Sequence, residues 1–259
     1  MSDNPLSDDS KKQITLLIPC HPKDFDLLKK CIQGAQQNIE DEILEIVIVS
    51  PVKLDIREIH STIPIRVLLD TDVVDQDLVA EMKSAFPDSQ YSWVLQQIVK
   101  ISAALELDKE FLLVLDSDTV LTRPRTFVGK ISQLLSISYE YHSPYVNHYK
   151  RFMPQHREFG ISFVTHHQIW QGDVVQEIWG DGGLNSWVAL GDPTQMNSMS
   201  EYHTYGSYLL NKYPDKISWA RWGNKPVSKL IAGSESMSVT LSSIPTWVRP
   251  NSVSIHDYS

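Results

Sequence analysis

"EFLLVLDSDTVL", residues 110–121, decides the fold. Phe111 to Leu115 are apolar at every position, as in a central parallel strand buried on both faces. The run then ends in Asp116 and Asp118, with only Ser117 between them. Residues two apart on a strand share a face, so at the strand's end both carboxylates can converge on one ion. In open α/β sheets the ligand crevice lies outside the carboxyl ends of the strands. The pair therefore stands where a site is expected. Two carboxylates suit a hard divalent ion, magnesium or manganese, that keeps positions open for substrate phosphates.

Working outward, "ITLLIPC" (14–20), "EIVIVS" (45–50) and "IRVLLD" (65–70) read as three further buried strands. Residues 23–39 place Phe25, Leu28, Ile32, Ala35 and Ile39 at helical spacing, which predicts an amphipathic helix. "YSWVLQQIVKISAALEL" (91–107) predicts another, leading directly into the Asp116 strand. Strands alternating with helices imply βαβ units and a mainly parallel sheet. Beyond residue 125 the pattern loosens. A strand is expected over 138–146, loop over 150–160, a strand over 161–170, a short helix after it, and a turn at Gly180, Gly182 and Gly183. Residues 200–214 read as a helix with Ser200 as N-cap and Pro214 as stop. One domain over 14–259 is the simplest organisation, a nucleotide-side half (14–125) and an acceptor-side half (126–259), after a disordered tail (1–13).

The 259 residues are 42% hydrophobic and 21% charged, ordinary for a globular chain long enough to bury a core. The formal charge of −9 argues against non-specific binding to nucleic acid. Cys20 and Cys31 are too few for a disulfide framework and read as buried reduced thiols. No apolar run reaches the length of a membrane span, and the polar, acidic N-terminus lacks signal-peptide character, so a cytoplasmic protein is expected. Oligomeric state is not legible.

Two families use such a carboxylate pair. "LVLDSDTVL" resembles the opening of haloacid-dehalogenase-type phosphatases, which would make Asp116 a nucleophile. That family needs a later lysine and a downstream acidic pair; "WVALGDPTQMN" (187–197) begins correctly but has Met196 at the final acidic position. The second resemblance is to glycosyltransferases of GT-A (Rossmann-like) fold. "ITLLIPCHPKDFDLLKKCI" looks like their nucleotide-binding opening, "WVLQQIVK" (93–100) precedes the D-x-D strand by one helix, and "SFVTHH" and "SEYHTYG" follow. This arrangement, over about residues 14–213, is similar to a bacterial and phage glycosyltransferase-like group of mostly unassigned substrate.

That resemblance implies a metal-dependent transfer of a sugar from a nucleotide-diphosphate donor to a hydroxyl acceptor, such as a glycan, in surface glycan synthesis. It implies Asp118 as the direct metal ligand, Asp116 on the metal or the ribose, and His256 in "SVSIHDYS" as a third ligand. His21, Gln97 and Lys100 would bind the donor. Gln97 and Lys100 share a helix face, so Lys100 reaches either the diphosphate or an aspartate, and Gln96 and Gln97 are not expected to point into the site together. Glu201, at a helix start, fits the acceptor base of an inverting enzyme, with Asp181 as its rival. Only one of His166 and His167 can line the site, because neighbours on a strand face oppositely. "SWARWGN" (218–224) offers a candidate acceptor surface. A non-catalytic sugar-nucleotide-binding module is the remaining alternative.

Overall fold

The apolar strand runs form one sheet with helices on both faces, as a computed structural model of the chain shows; it describes residues 12–138, 141–228 and 251–256. The tail expected over 1–13 and the segment "SVTLSSI" lie largely outside the described residues. The main sheet comprises β1 (Gln13–Pro19), β2 (Glu42–Ser50), β3 (Ile65–Leu69), β4 (Phe111–Leu115) and β7 (His167–Gln171) in the order β3-β2-β1-β4-β7. The first four run parallel, and β7 runs antiparallel to β4, pairing His167 with Leu115. The strand order reverses between β1 and β4, so the carboxyl ends of the two strands frame the crevice that such a switch point opens.

Alternation sends the strand side chains into two cores. Leu16, Ile18, Ile46, Ile48, Leu113 and Leu115 pack with Leu28, Cys31, Ile32 and Ala35 of helix α1 (Phe25–Asn38). Leu17, Val47, Val49, Leu112 and Val114 pack with Val94, Ile98 and Ile101 of helix α4 (Asp88–Leu107), and with Trp170 and Trp179. Two short helices precede α4, α2 (Asp70–Val73) and α3 (Gln76–Ala85), neither of them evident in the sequence pattern. Helix α1 lies hard against strand β5 (Thr119–Leu121): a Cβ on Gly34 would stand 2.8 Å from Val120 Cγ1 and 2.9 Å from the Leu121 carbonyl oxygen. Glycine is required there, and the contact sets the position of the chain leaving Asp118.

The second half departs from expectation where aromatic and β-branched residues mislead. The strand expected over 138–146 is replaced from Ser143 by helix α5 (Ser143–Phe152), whose Pro144 fits a first helical turn. Of the strand expected over 161–170, only His167–Gln171 forms. Helices α6 (Gly172–Trp179), α7 (Gly183–Ala189) and α8 (Glu201–Lys212) follow. Ser200 caps α8 by accepting from the His203 N–H. "SWARWGN" is no acceptor platform: β8 (Ile217–Arg221) pairs with β6 (Gln133–Ile137), Trp222 is buried, and Trp219 alone of the two tryptophans is exposed, away from the cavity described below. Strands β9 (Asn224–Ser228) and β10 (Ser252–His256) join β5 in a third sheet.

Among the described residues no helix is long and apolar enough to cross a membrane.

Candidate functional site

Asp116 and Asp118 end β4 beside a cavity of about 340 Å³, which they line together with Gln97, Lys100, His166 and Glu201. A larger cavity of about 460 Å³ lies over the ends of β1 and β2, lined by Pro19, His21, Val49, Ser50, Asp70 and Val99. Asp24, Trp93 and Gln96 line both, so the two form one cleft across the switch point.

A buried lysine organises the smaller cavity. Lys100 comes from the second half of α4, where the helix is enclosed on nearly all sides, and its side chain is 2% exposed. Its Nζ lies 2.6 Å from Asp116 Oδ1 and 2.7 Å from Glu201 Oε1. It also lies 4.4 Å from the ring centroid of Tyr202, whose hydroxyl donates to Asp116 Oδ1 at 2.9 Å. Burial works against charge on Lys100, but the carboxylates of Asp116 and Glu201 outweigh it and raise its pKa. Asp116 is likewise opposed by burial, yet Lys100 and His166 hold its carboxyl below the usual range. Burial is the largest influence on Glu201 and raises its pKa, with Lys100 pulling the other way. The Gln97 amide lies against the Glu201 carboxylate and donates to it once its nitrogen is turned toward the acid.

His166 closes the other side. It precedes β7, whose antiparallel course brings its start beside the end of β4. Its Nδ1 lies 3.3 Å from Asp116 Oδ2, and its carbonyl accepts from the Asp116 N–H at 3.0 Å. Its backbone is left-handed, φ 61°, a conformation rare outside glycine and concentrated at functional sites. His167 points the other way, buried against Trp222 and Phe127 with Nδ1 on the Thr165 carbonyl. The expected division of the two histidines holds.

Several expectations need correction. Glu201 starts α8 as expected and lines the smaller cavity, but its side chain is 2% exposed and engages Lys100. Asp181 stands exposed in the turn between α6 and α7 and lines neither cavity, because the Gly180–Gly183 turn carries it outward. Asp116, expected on the metal or the ribose, engages both its oxygens with Lys100, Tyr202 and His166. Gln96 and Gln97 both line the smaller cavity, since the cleft wraps far enough around α4 to meet residues a hundred degrees apart. His21 lines the larger cavity just after the end of β1, and its Nδ1 accepts from the Lys23 N–H.

The candidate third ligand sits at the end of β10. Its neighbour Ile255 donates its N–H to the Asp118 carbonyl, so the backbone of His256 runs beside the carboxylate pair. The His256 side chain lies outside what the structure describes. Among the described residues no three His, Cys, Asp or Glu side chains form a metal-ligating group. Charge makes the stronger case for a cation. Among the described residues, Asp24, Asp116, Asp118 and Glu201 face Lys100 around the smaller cavity, a formal −3 with histidine neutral.

The sequence reading missed Tyr202, Trp93, Tyr145 and Ser50. Trp93 and Tyr145 stack nearly parallel on the smaller cavity, 6.1 Å between centroids and 5° between planes. Ser50 ends β2 on the larger cavity; its hydroxyl is buried with no hydrogen-bond partner among the described residues.

Residues 13–137, just under half of the chain, match a protein family of unknown function, DUF6492. No curated protein matches. Among solved structures, the apo form of mouse xyloside xylosyltransferase 1 is similar at 10% identity and a TM-score of 0.49, over 93% of this chain and 97% of that one.

Proposed function

We propose that the chain is a metal-dependent glycosyltransferase of GT-A type, moving a sugar from a nucleotide-diphosphate donor to a hydroxyl acceptor in the cytoplasm. The observation that carries this is the carboxylate pair ending β4 where two linked cavities meet across the switch point. The larger cavity has the size and mixed lining of a small-molecule site, and the orphaned Ser50 hydroxyl offers it a polar partner. A nucleoside there would direct its diphosphate toward Asp118. A diphosphate approaching the formal −3 of the described lining is repelled by it, which supports a bound cation in this reading. Asp118 would hold it, with His256 beside it on β10. When bound, a divalent ion supplies neutralising charge for the leaving diphosphate.

The chain's own residues do the rest. Trp93, with a face on both cavities, would shield the donor's reacting end from water. Tyr145 stacked on it would give a sugar ring an apolar wall. Gln96, on the cavity's exposed rim, would donate or accept hydrogen bonds to a sugar hydroxyl. With Glu201 turned onto Lys100, it gives no support to inversion over retention.

The phosphatase reading is less well supported. Asp116 as nucleophile would need an oxygen open to phosphate, the lysine on it precedes it in the chain instead of following, and Asp192 does not line the cavity. The test is equilibrium binding of a panel of sugar nucleotides with and without manganese, in wild type and Asp118→Asn. Manganese-dependent binding weakened at least about tenfold by the substitution is expected. Binding that ignores both metal and substitution sinks the proposal.

A further inference from the structure

We infer that Lys100, with Glu201 as its buried counter-charge, is a positioning residue that keeps Asp116 off the metal ion, leaving Asp118 as the carboxylate of the pair that the ion meets. The inference rests on the metal-dependent reading above and divides the labour within its site.

Asp116 has three partners, and their geometry is closed. Oδ1 takes Lys100 Nζ at 2.6 Å and the Tyr202 hydroxyl at 2.9 Å, while Oδ2 faces His166 Nδ1 at 3.3 Å. An ion binding Asp116 directly would have to displace an ammonium already at contact distance. Lys100 could not move far to allow it. Its side chain is 2% exposed, walled by the Tyr202 ring, and tied to a second carboxylate that is equally buried. A buried ammonium leaving one partner exposes that partner as an uncompensated charge. Glu201 explains why the lysine tolerates its position: one ammonium between two carboxylates carries a net charge that favours keeping it protonated and in place. Asp118 lines the same cavity and, like Asp116, is partly exposed; the Ile255 N–H holds its carbonyl, and the Thr119 hydroxyl donates to its Oδ1 at 3.4 Å.

The decisive variant is Lys100→Met combined with Glu201→Gln. It removes one positive and one negative charge, so the cavity keeps its formal −3, and no buried ion of this pair is left alone. It also removes the ammonium from Asp116 Oδ1, leaving only the Tyr202 hydroxyl of its two partners there. Manganese affinity is read directly, from the electron paramagnetic resonance signal of free manganese titrated with protein, without any turnover. The expected result is binding tightened by about tenfold or more relative to wild type, as a second carboxylate joins the ion. Adding Asp116→Asn to the same background should remove the gain. A purely structural lysine would not make metal binding tighter when it is removed.

A folded double variant that binds manganese no more tightly than wild type overturns the inference. Should that variant fail to fold, two single substitutions decide. Asp118→Asn should weaken manganese binding about tenfold or more, and Asp116→Asn by clearly less; equal losses overturn it. If wild type binds no manganese at any concentration tried while the double variant does, the proposed function fails and the assignment of Lys100 survives.

Discussion

Asp116 and His166 hold each other twice, the aspartate N–H donating to the histidine carbonyl at 3.0 Å and the imidazole Nδ1 facing the carboxylate at 3.3 Å. The double attachment fixes a histidine in a left-handed backbone conformation at φ 61°. Asparagine adopts that conformation more readily than other non-glycine residues, whereas a β-branched residue meets severe crowding. His166→Asn should therefore cost less than about 1 kcal/mol of stability, and His166→Val about 2 kcal/mol or more. Urea unfolding of the two variants measures the difference; equal losses would show that the backbone conformation is not what constrains this position.

Lys100 sits between the carboxylates of Asp116 and Glu201 on the buried face of the site. Lys100→Met should lower stability by about 3–5 kcal/mol, because it strands two carboxylates out of water. Adding Glu201→Gln should recover a substantial part of that loss. A double-mutant cycle in urea gives the coupling, and strict additivity would contradict the contact.

Acid should destabilise the protein through buried histidines. Burial lowers the pKa of His148 to about 4, of His167 to about 3 and of His203 to about 4. All three are neutral in the fold, while in the unfolded chain they titrate near 6.5. Below that value the unfolded state binds more protons, so the stability they contribute above pH 6.5 is lost as pH falls toward 4. Each should cost about 2 kcal/mol by pH 5. Asp41 acts in the opposite sense. Burial raises it to about 6, so falling pH through that value favours the fold by about 1 kcal/mol. Thermal midpoints from pH 7.5 to 5 should fall steeply, and His148→Gln should flatten the decline.

Gly34 tests how tightly α1 sets the carboxylate pair. Gly34→Ala puts a methyl within 2.9 Å of the Leu121 carbonyl oxygen, which is backbone and cannot rotate aside. Overpacking of this kind costs about 1–3 kcal/mol. Manganese binding should weaken with it, since β5 carries the chain directly from Asp118; unchanged affinity would separate the helix contact from the site.

The centre of the main sheet was legible because the buried stretches of β1, β2 and β4 are apolar on both faces, a pattern that burial on two sides imposes. Lys100 was legible as a residue facing the carboxylates because α4 feeds β4 directly. Its tie to Glu201 was not, since the partner lies 101 residues away and nothing local records it. Ser200 could be read as a cap from its own chemistry, but Tyr202 looked like any aromatic in an amphipathic helix. Residues 143–146, read as the end of a strand, misled for a physical reason. Tyr145 and Val146 fit a strand by propensity, and packing made them, with Tyr149, one face of a helix. The parallel stack of Trp93 on Tyr145 follows from that helix and was hidden with it.

Strand β10 reaches β5 across 135 residues, Ser254 Oγ to Thr119 Oγ1 at 3.1 Å. Loop closure over so long a span is slow compared with pairing β1 to β2, which are near neighbours in the chain. Strand β1 is thus expected to pair with β2 before residues 251–256 dock. A refolding chain would pass through a state with that pairing formed and the wall beside Asp118 still open, so recovery of metal binding should lag behind the first formation of sheet structure.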